Sequence, residues 1–310
     1  MRDKIRIVCI SDTHNAAPGE GYKLPRGDVL IHAGDLTNQG SYSELKRAVD
    51  WIEKTNFAVK ILVAGNHDLS LDEKYTLVNA HGGTVRLHQD RDGRVLITNN
   101  SAFHYLEHSD VKIEVPGKSN NLHVFGSPYS PDRSQQSWAF QYRDAQAEGL
   151  WDVVPAGIDI LVTHTPPKGL CDASHHWHEG GCPTLLRKLW DTRPLLQVCG
   201  HCHEGRGVKI VRWGDTPGRI ESTRTWNDPS TGNKKQALLD LTGGEMLLNP
   251  GQETAIVNAS IMAKSFGRGP KIFNSPIVVD LPIVGSRPDA IHPISDKRSA
   301  HEKISEIPGR

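Results

Sequence analysis

The sequence predicts an α/β fold, on three observations. Short runs rich in β-branched residues recur: Ile5–Ile10, Val29–Ile31, Val59–Val63, Leu122–Phe125, Ile158–Val162, Leu195–Cys199 and Ile277–Leu281. Helical patterns lie between several of them, as in a sheet covered by helices. Most of the runs end in Gly, Asp or His, as buried strands do when they deliver a loop to a site.

The elements follow in order. Ser41 with Glu44 fits a capping box, and Leu45, Ala48, Val49 and Ile52 follow at helical spacing. Pro183 at the head of "PTLLRKLW" fits the first position of a helix. The later part reads as β-rich, in "VKIVRW", "ALLDL", "EMLL" and "AIVNAS". Residues 213–235 are rich in Gly, Pro, Thr, Asn and charge and are expected to be an exposed loop insertion. Residues 286–310 carry little apolar content and are expected to be a flexible tail, which leaves 1–285 as one domain.

Bulk properties narrow the function classes. The chain has 310 residues, enough to bury roughly three quarters of its unfolded surface. Lys+Arg and Asp+Glu both number 36, so the net charge is zero. A neutral chain has no bulk attraction for nucleic acid or anionic membrane, which argues against a processive nuclease. The cysteines number five at irregular spacing, and Cys9 and Cys199 sit in strand-like runs as small hydrophobes, so no disulfide framework is expected. There is no secretory h-region, and no apolar run approaches the ~18–20 residues of a membrane span. The expectation is a soluble, reduced, intracellular and cytoplasmic protein with no membrane partner.

Oxygen and nitrogen ligands stand after successive strands: Asp12 and His14 in "SDTHN", Asp35 in "HAGDLTN", Asn66, His67 and Asp68 in "AGNHD", His164 in "THTPP", and His201 and His203 in "GHCH". In open α/β sheets the carboxyl ends of strands are where ligands bind. Asp oxygens and His nitrogens suit divalent Mn, Fe, Zn or Ni. In an extended D-x-H or H-x-H, alternate side chains share a face and both reach one site. These candidate ligands are too many for one tetrahedral zinc. They suit two ions ~3.5–4 Å apart that share a carboxylate, activate a hydroxide and clamp a phosphoryl group. Each motif alone is weak, because D-x-H and G-D recur by chance and Asn-His-Asp is also turn chemistry. The five together, in strand context, point to a metal site.

The series D-x-H, G-D, G-N-H-D, H and G-H-x-H resembles the calcineurin-like metallophosphoesterases. It resembles in particular the branch of the metallophosphoesterase-domain proteins of brain and fetal-brain type, with similar stretches "DVLIHAGDLTNQG", "FGSPYSP", "DILVTHTPPKGLCD", "GHCHEGRG", "VNAS" and "NSPIVVDLP". The resemblance covers residues 5–282 and implies a four-layer α/β/β/α sandwich. It departs between "GHCHEG" and "VNAS", where this chain is longer. It implies that Asp12, His14 and His203 hold one metal, that Asn66, His164 and His201 hold the other, and that Asp35 bridges them. His67 would face the substrate, stabilising developing charge or protonating the leaving oxygen. Asp68 would orient the His67 imidazole. Cys202, between two ligands, would be a packed thiol, and Gly200 would let the backbone approach the metals. His175, His176 and His178 beside Trp177 read as a polar loop over a tucked Trp, with a lid or third metal site as the alternative.

The resulting expectation is a dinuclear phosphoesterase acting on small phosphodiesters, cyclic nucleotides among them. A phosphomonoesterase or protein Ser/Thr phosphatase is the alternative. A non-catalytic metal-binding module would show a lost ligand, and none is lost.

Overall fold

The computed structural model describes residues 4–78, 84–86, 91–119, 121–133, 137–176, 180–232, 235–263 and 271–283. The expected tail lies outside them. β1 (Lys4–Ile10), β2 (Val29–Ala33), α1 (Tyr42–Glu53) and β3 (Val59–Val63) come first. β4 (Thr76–Val78) and β5 (Thr84–Arg86) form a separate antiparallel pair ahead of α2 (Arg91–Thr98) and β6 (His104–Tyr105). β7 (Ser109–Glu114) and β8 (Asn121–Ser127) open a second sheet. β9 (Ser130–Pro131) and β10 (Gln141–Tyr142) pair with each other. Then follow α3 (Ala147–Asp152), β11 (Ile160–Thr163), α4 (Pro183–Thr192), β12 (Leu196–Cys199), β13 (Gly207–Trp213) and β14 (Ile220–Thr225). The last three strands are β15 (Leu238–Asp240), β16 (Glu253–Asn258) and β17 (Ile277–Pro282).

Two sheets result, ordered β15-β17-β1-β2-β3-β6 and β14-β13-β16-β12-β11-β8-β7. In the first, β1, β2, β3 and β6 run parallel and β17 runs antiparallel beside β1. In the second, β16, β12, β11 and β8 are parallel.

Side-chain alternation explains the layers. Ile5, Ile7, Val29, Ile31, Val59 and Ile61 of the first sheet share one core cluster with Val124, Ile160, Val162, Val198 and Val257 of the second. The opposite face of the first sheet, at Leu62, packs on Leu45, Ala48, Val49 and Ile52 of α1. The opposite face of the second, at Phe125, Leu161 and Ile256, packs on Trp151 of α3 and Leu185 and Leu189 of α4. The layers are therefore helix, sheet, sheet, helix, as the resemblance implies. Strands β2, β3, β11, β12, β16 and β17 are buried along their whole length. Buried on both faces, they read as continuous apolar runs. The two helix starts match expectation: Ser41 and Glu44 close a capping box, and Pro183 opens α4. Full burial of each Leu, Val or Ile on α1 contributes roughly 1.5–3 kcal/mol.

Two expectations are corrected. The described residues of 213–235 are largely exposed, but they contain β14, the edge strand of the second sheet, paired with β13. An edge strand with most of its residues in solvent lacks the apolar signature of a buried one. The "EMLL" run is not a strand. Gly244–Met246 forms a 3₁₀ turn instead.

One ion-pair cluster clamps the junction of β1 and β17. Arg6 Nε and Nη2 donate to the two Asp280 oxygens at 2.7 and 2.8 Å, and Lys4 Nζ donates at 2.6 Å. Burial opposes ionisation of Asp280, but the bonds from Arg6 and Lys4 prevail and hold its carboxyl below the ordinary range. A carboxyl lowered on folding stabilises the fold above its ordinary value near 4, and that contribution is lost as pH falls through the lowered one. Asp280→Asn is expected to cost about 1–2 kcal/mol at pH 7, since the cations are partly exposed. Urea unfolding at pH 7 and near pH 3 checks this: the gap between variant and wild type narrows at the acid end.

Candidate metal centre

The site assembles where five strands stop. β1 delivers Asp12 and His14, β2 delivers Asp35, β3 delivers Asn66 and His67, β11 delivers His164, and β12 delivers His201 and His203. The D-x-H and H-x-H segments are not extended, contrary to expectation. Asp12, His14, Asp35 and His201 have φ of 52°, 43°, 54° and 66°. Non-glycine residues adopt this left-handed region at a cost, and such strain gathers at functional sites. His203 begins a 3₁₀ turn. The kinks, not strand alternation, turn the paired side chains inward.

The loops are bonded to one another across the strands. Asp12 N donates to Gly34 O at 2.9 Å, His14 N to Asp35 O at 3.1 Å, and Gly200 N to His164 O at 3.0 Å. Asn258, at the end of β16, donates from Nδ2 to Cys202 O at 2.8 Å and to Cys171 O at 2.9 Å. This holds the G-H-C-H turn from behind. Two glycines allow the close approach. A Cβ on Gly200 would collide with the Ser11 side chain and the Asp12 carboxylate, and one on Gly65 with Asp35.

All seven expected ligands come together. His203 Nε2 lies 3.3 Å from Asp12 Oδ1 and 3.3 Å from His14 Nε2. His164 Nε2 lies 3.0 Å from Asn66 Oδ1 and 3.2 Å from His201 Nδ1. Asp35 Oδ2 stands between these groups, 3.7 Å from His14 Nε2 and 3.4 Å from His164 Nε2. The ligand atoms of Asp12, His14 and His203 lie within 4.8 Å of one another, as do those of Asp12, Asp35 and His164. His67, expected to face substrate, also lies within that distance of His14 and Asp35.

The electrostatics fit cations. Burial lowers His14 to about 4 and His201 to about 3, so both rings are neutral lone-pair donors at pH 7. Burial opposes ionisation of Asp12 and Asp35, but His203 beside the first and His164 beside the second hold both carboxyls below their ordinary value. Burial would also lower His164, yet facing Asp35 and Asp12 lift it to about 9. Imidazole nitrogens that approach each other and two ionised carboxylates in one buried cluster are the donor set of a divalent centre. The residues fit the group.

Asp68 does not orient His67. The chain turns back at Asp68, whose carboxylate accepts from Gly65 N at 2.8 Å, Thr37 N at 2.9 Å, Thr37 Oγ1 at 2.7 Å and Leu36 N at 3.2 Å. It ties the β2 turn to the β3 turn. Burial and the nearby Asp35 charge raise its pKa to about 6, against the pull of those hydrogen bonds. The His67 ring instead meets the Asn38 carbonyl at 2.7 Å and lies on Trp138, with centroids 4.2 Å apart at 37°. Sequence reasoning missed Trp138, which lies 71 positions after His67 in the chain and in no motif. Cys202 is fully buried, and burial pushes its thiol well up, as a packed thiol requires. His175 and His176 are exposed, and neither joins a candidate metal cluster among the described residues. Trp177 and His178 lie outside those residues. No helix among the described residues is long and apolar enough to cross a membrane.

The chain belongs to the calcineurin-like phosphoesterase family, whose profile matches residues 5–205. It is 35% identical over 214 residues to metallophosphoesterase domain-containing protein 1 of Homo sapiens, a match covering 66% of this chain and 62% of that protein. It is 40% identical over 211 residues to a protein of Emericella nidulans named probable rhamnogalacturonate lyase C, covering 67% of this chain and 18% of that protein. A probable cyclic nucleotide phosphodiesterase of Rhodococcus erythropolis is 33% identical over 139 residues, covering 36% of this chain and 46% of that one. The match thus spans less than two thirds of each relative's own length.

Two outcomes are expected. Gly200→Ala weakens Mn²⁺ binding by about tenfold or more, by displacing Asp12, as read by titration calorimetry. Asp68→Ala strands buried donors and lowers the unfolding free energy by about 3 kcal/mol, as read by urea denaturation.

Proposed function

We propose that the chain is a metal-dependent phosphoesterase that hydrolyses small phosphodiesters. The observation that carries this reading is Asp35 Oδ2 placed between two donor groups in one buried cluster. Asp12, His14 and His203 would hold one divalent ion, and Asn66, His164 and His201 the other, with Asp35 shared. When bound, the ions supply Lewis-acid charge for activating water and for offsetting charge on phosphoryl oxygens. Membership of the calcineurin-like phosphoesterases supports the reaction class. The name of the Rhodococcus relative supports a diester and, among diesters, cyclic nucleotides.

The chain's own residues do the rest. Burial of the donor cluster excludes bulk water and strengthens each interaction in it. Asp35 Oδ1 accepts from the His67 backbone N–H at 2.8 Å, which ties the His67 turn to the shared carboxylate. With Nδ1–H on the Asn38 carbonyl, the His67 ring has Nε2 left to meet the ester; once that nitrogen has also taken up a proton, it can stabilise charge on a phosphoryl oxygen or give the proton to the leaving one.

The test compares bis-p-nitrophenyl phosphate with p-nitrophenyl phosphate in the presence of Mn²⁺. The diester is expected to be preferred, and a chelator is expected to abolish turnover. Asp35→Asn is expected to remove activity together with metal binding. His67→Gln is expected to lower kcat by about 100-fold or more with Mn²⁺ binding retained. Monoester preference would replace the diester reading by a phosphatase. An inert wild type with two ions bound would replace it by a binding module.

A further inference from the structure

The start of α1 reaches the site through one peptide group. The Asn38 carbonyl lies 2.7 Å from His67 Nδ1. A carbonyl only accepts, so Nδ1 carries the proton, and a neutral ring then keeps its lone pair on Nε2. The same peptide group has the Gln39 N–H at its other end, and that N–H donates to Glu44 Oε2 at 3.2 Å. Glu44 Oε1 accepts from Asn38 N at 3.1 Å and Asn38 Nδ2 at 2.8 Å. A peptide group is planar, so anchoring its N–H end sets where its carbonyl points. Glu44 also closes the capping box, accepting from Ser41 N at 3.2 Å and Ser41 Oγ at 3.1 Å. Trp138 against the ring and the His14 edge, with centroids 4.8 Å away at 87°, set the ring plane. The Asn38 carbonyl sets its rotation within that plane.

We propose that Glu44 is a positioning residue for His67. While capping α1, its carboxylate locks the Asn38–Gln39 peptide so that the carbonyl holds His67 as the Nδ1–H tautomer. The inference rests on the reading of His67 given above. A pure capping role would make the two halves of the capping box equivalent, so Ser41→Ala is the control. It weakens the helix start and leaves the bonds from Asn38 and Gln39 to Glu44 in place.

Two readouts decide. One is kcat and KM for bis-p-nitrophenyl phosphate with Mn²⁺. The other is the ring-nitrogen NMR pattern of His67 in metal-free protein, assigned with His67→Gln. Wild type is expected to show the Nδ1–H pattern. Glu44→Ala is expected to lower kcat by about tenfold with KM and Mn²⁺ affinity changed less than about twofold, and to mix the two tautomers. Glu44→Asp keeps the charge at the helix N-terminus but is one methylene short, and is expected to show the same loss. It carries the test if Glu44→Ala fails to fold. Glu44→Gln keeps one acceptor oxygen where the carboxylate has two, so its oxygen can still hold the Gln39 N–H but its NH2 faces the Asn38 donors, and it is expected to recover kcat and the wild-type pattern only in part. Ser41→Ala is expected to lower the unfolding midpoint and leave both readouts unchanged.

A wild-type Nε2–H pattern overturns the proposal. So does wild-type behaviour in both Glu44→Ala and Glu44→Asp, or equal losses in Ser41→Ala. An inert wild type overturns the phosphoesterase reading instead, and the metal-free ring pattern still decides the role of Glu44.

Discussion

Everything near the site depends on one electrostatic constraint. Asp12 and Asp35 are carboxylates with almost no solvent contact. A buried carboxylate is stable only when opposite charge or hydrogen-bond donors surround it. Both stand on the first sheet, and their partners come largely from the second. His203 and the His201 N–H answer Asp12, and His164 answers Asp35. The charge pairing therefore crosses the sandwich at its upper edge, while the shared apolar cluster crosses it below. Sheet packing and site geometry set each other. Strained backbone at four proposed ligand positions and two glycines pressed against carboxylates are the local cost of bringing those loops so close.

Much of this was legible in the sequence, for identifiable reasons. Strands buried on both faces are continuous apolar runs, so Val29–Ile31 and Ile158–Val162 announced themselves. Side chains directly after such strands stand at one edge of a sheet, so the candidates could be named without knowing the angle of any turn, and the family resemblance singled out seven of them as proposed ligands. What was hidden depended on backbone direction or on distance along the chain. Asp68 sits next to His67 in sequence, yet its backbone φ of −86° and ψ of 58° belong to a turn that sends the carboxylate back to Gly65 and Thr37. Adjacency suggested a contact that the turn removes. Trp138 left no local trace because its partner is remote. β14 was read as loop because threonine, arginine and glutamate on an edge strand resemble a loop's composition.

The segment between "GHCHEG" and "VNAS" stays clear of the centre for a topological reason. It runs outward through β13 and β14 at one edge of the second sheet and across to β15 at the edge of the first. It returns at β16, where Asn258 grips the carbonyls around the G-H-C-H turn. The segment is accommodated at sheet edges, and the register near the proposed ligands is held by one amide.

The placement of β16 and β17 also sets when this molecule can exist. Both strands come from residues 253–282, and both sit inside their sheets: β16 between β12 and β13, β17 between β1 and β15. A chain leaving the ribosome carries every proposed ligand by residue 203 but lacks the strands that complete either sheet. At about 5–20 residues per second, the ligand-bearing strands wait several seconds with unpaired edges before those strands emerge. Contacts that join the two ends of the chain also fold slowly, because loop closure precedes any reward. The centre thus takes its final form only once residues 253–282 can pair into both sheets.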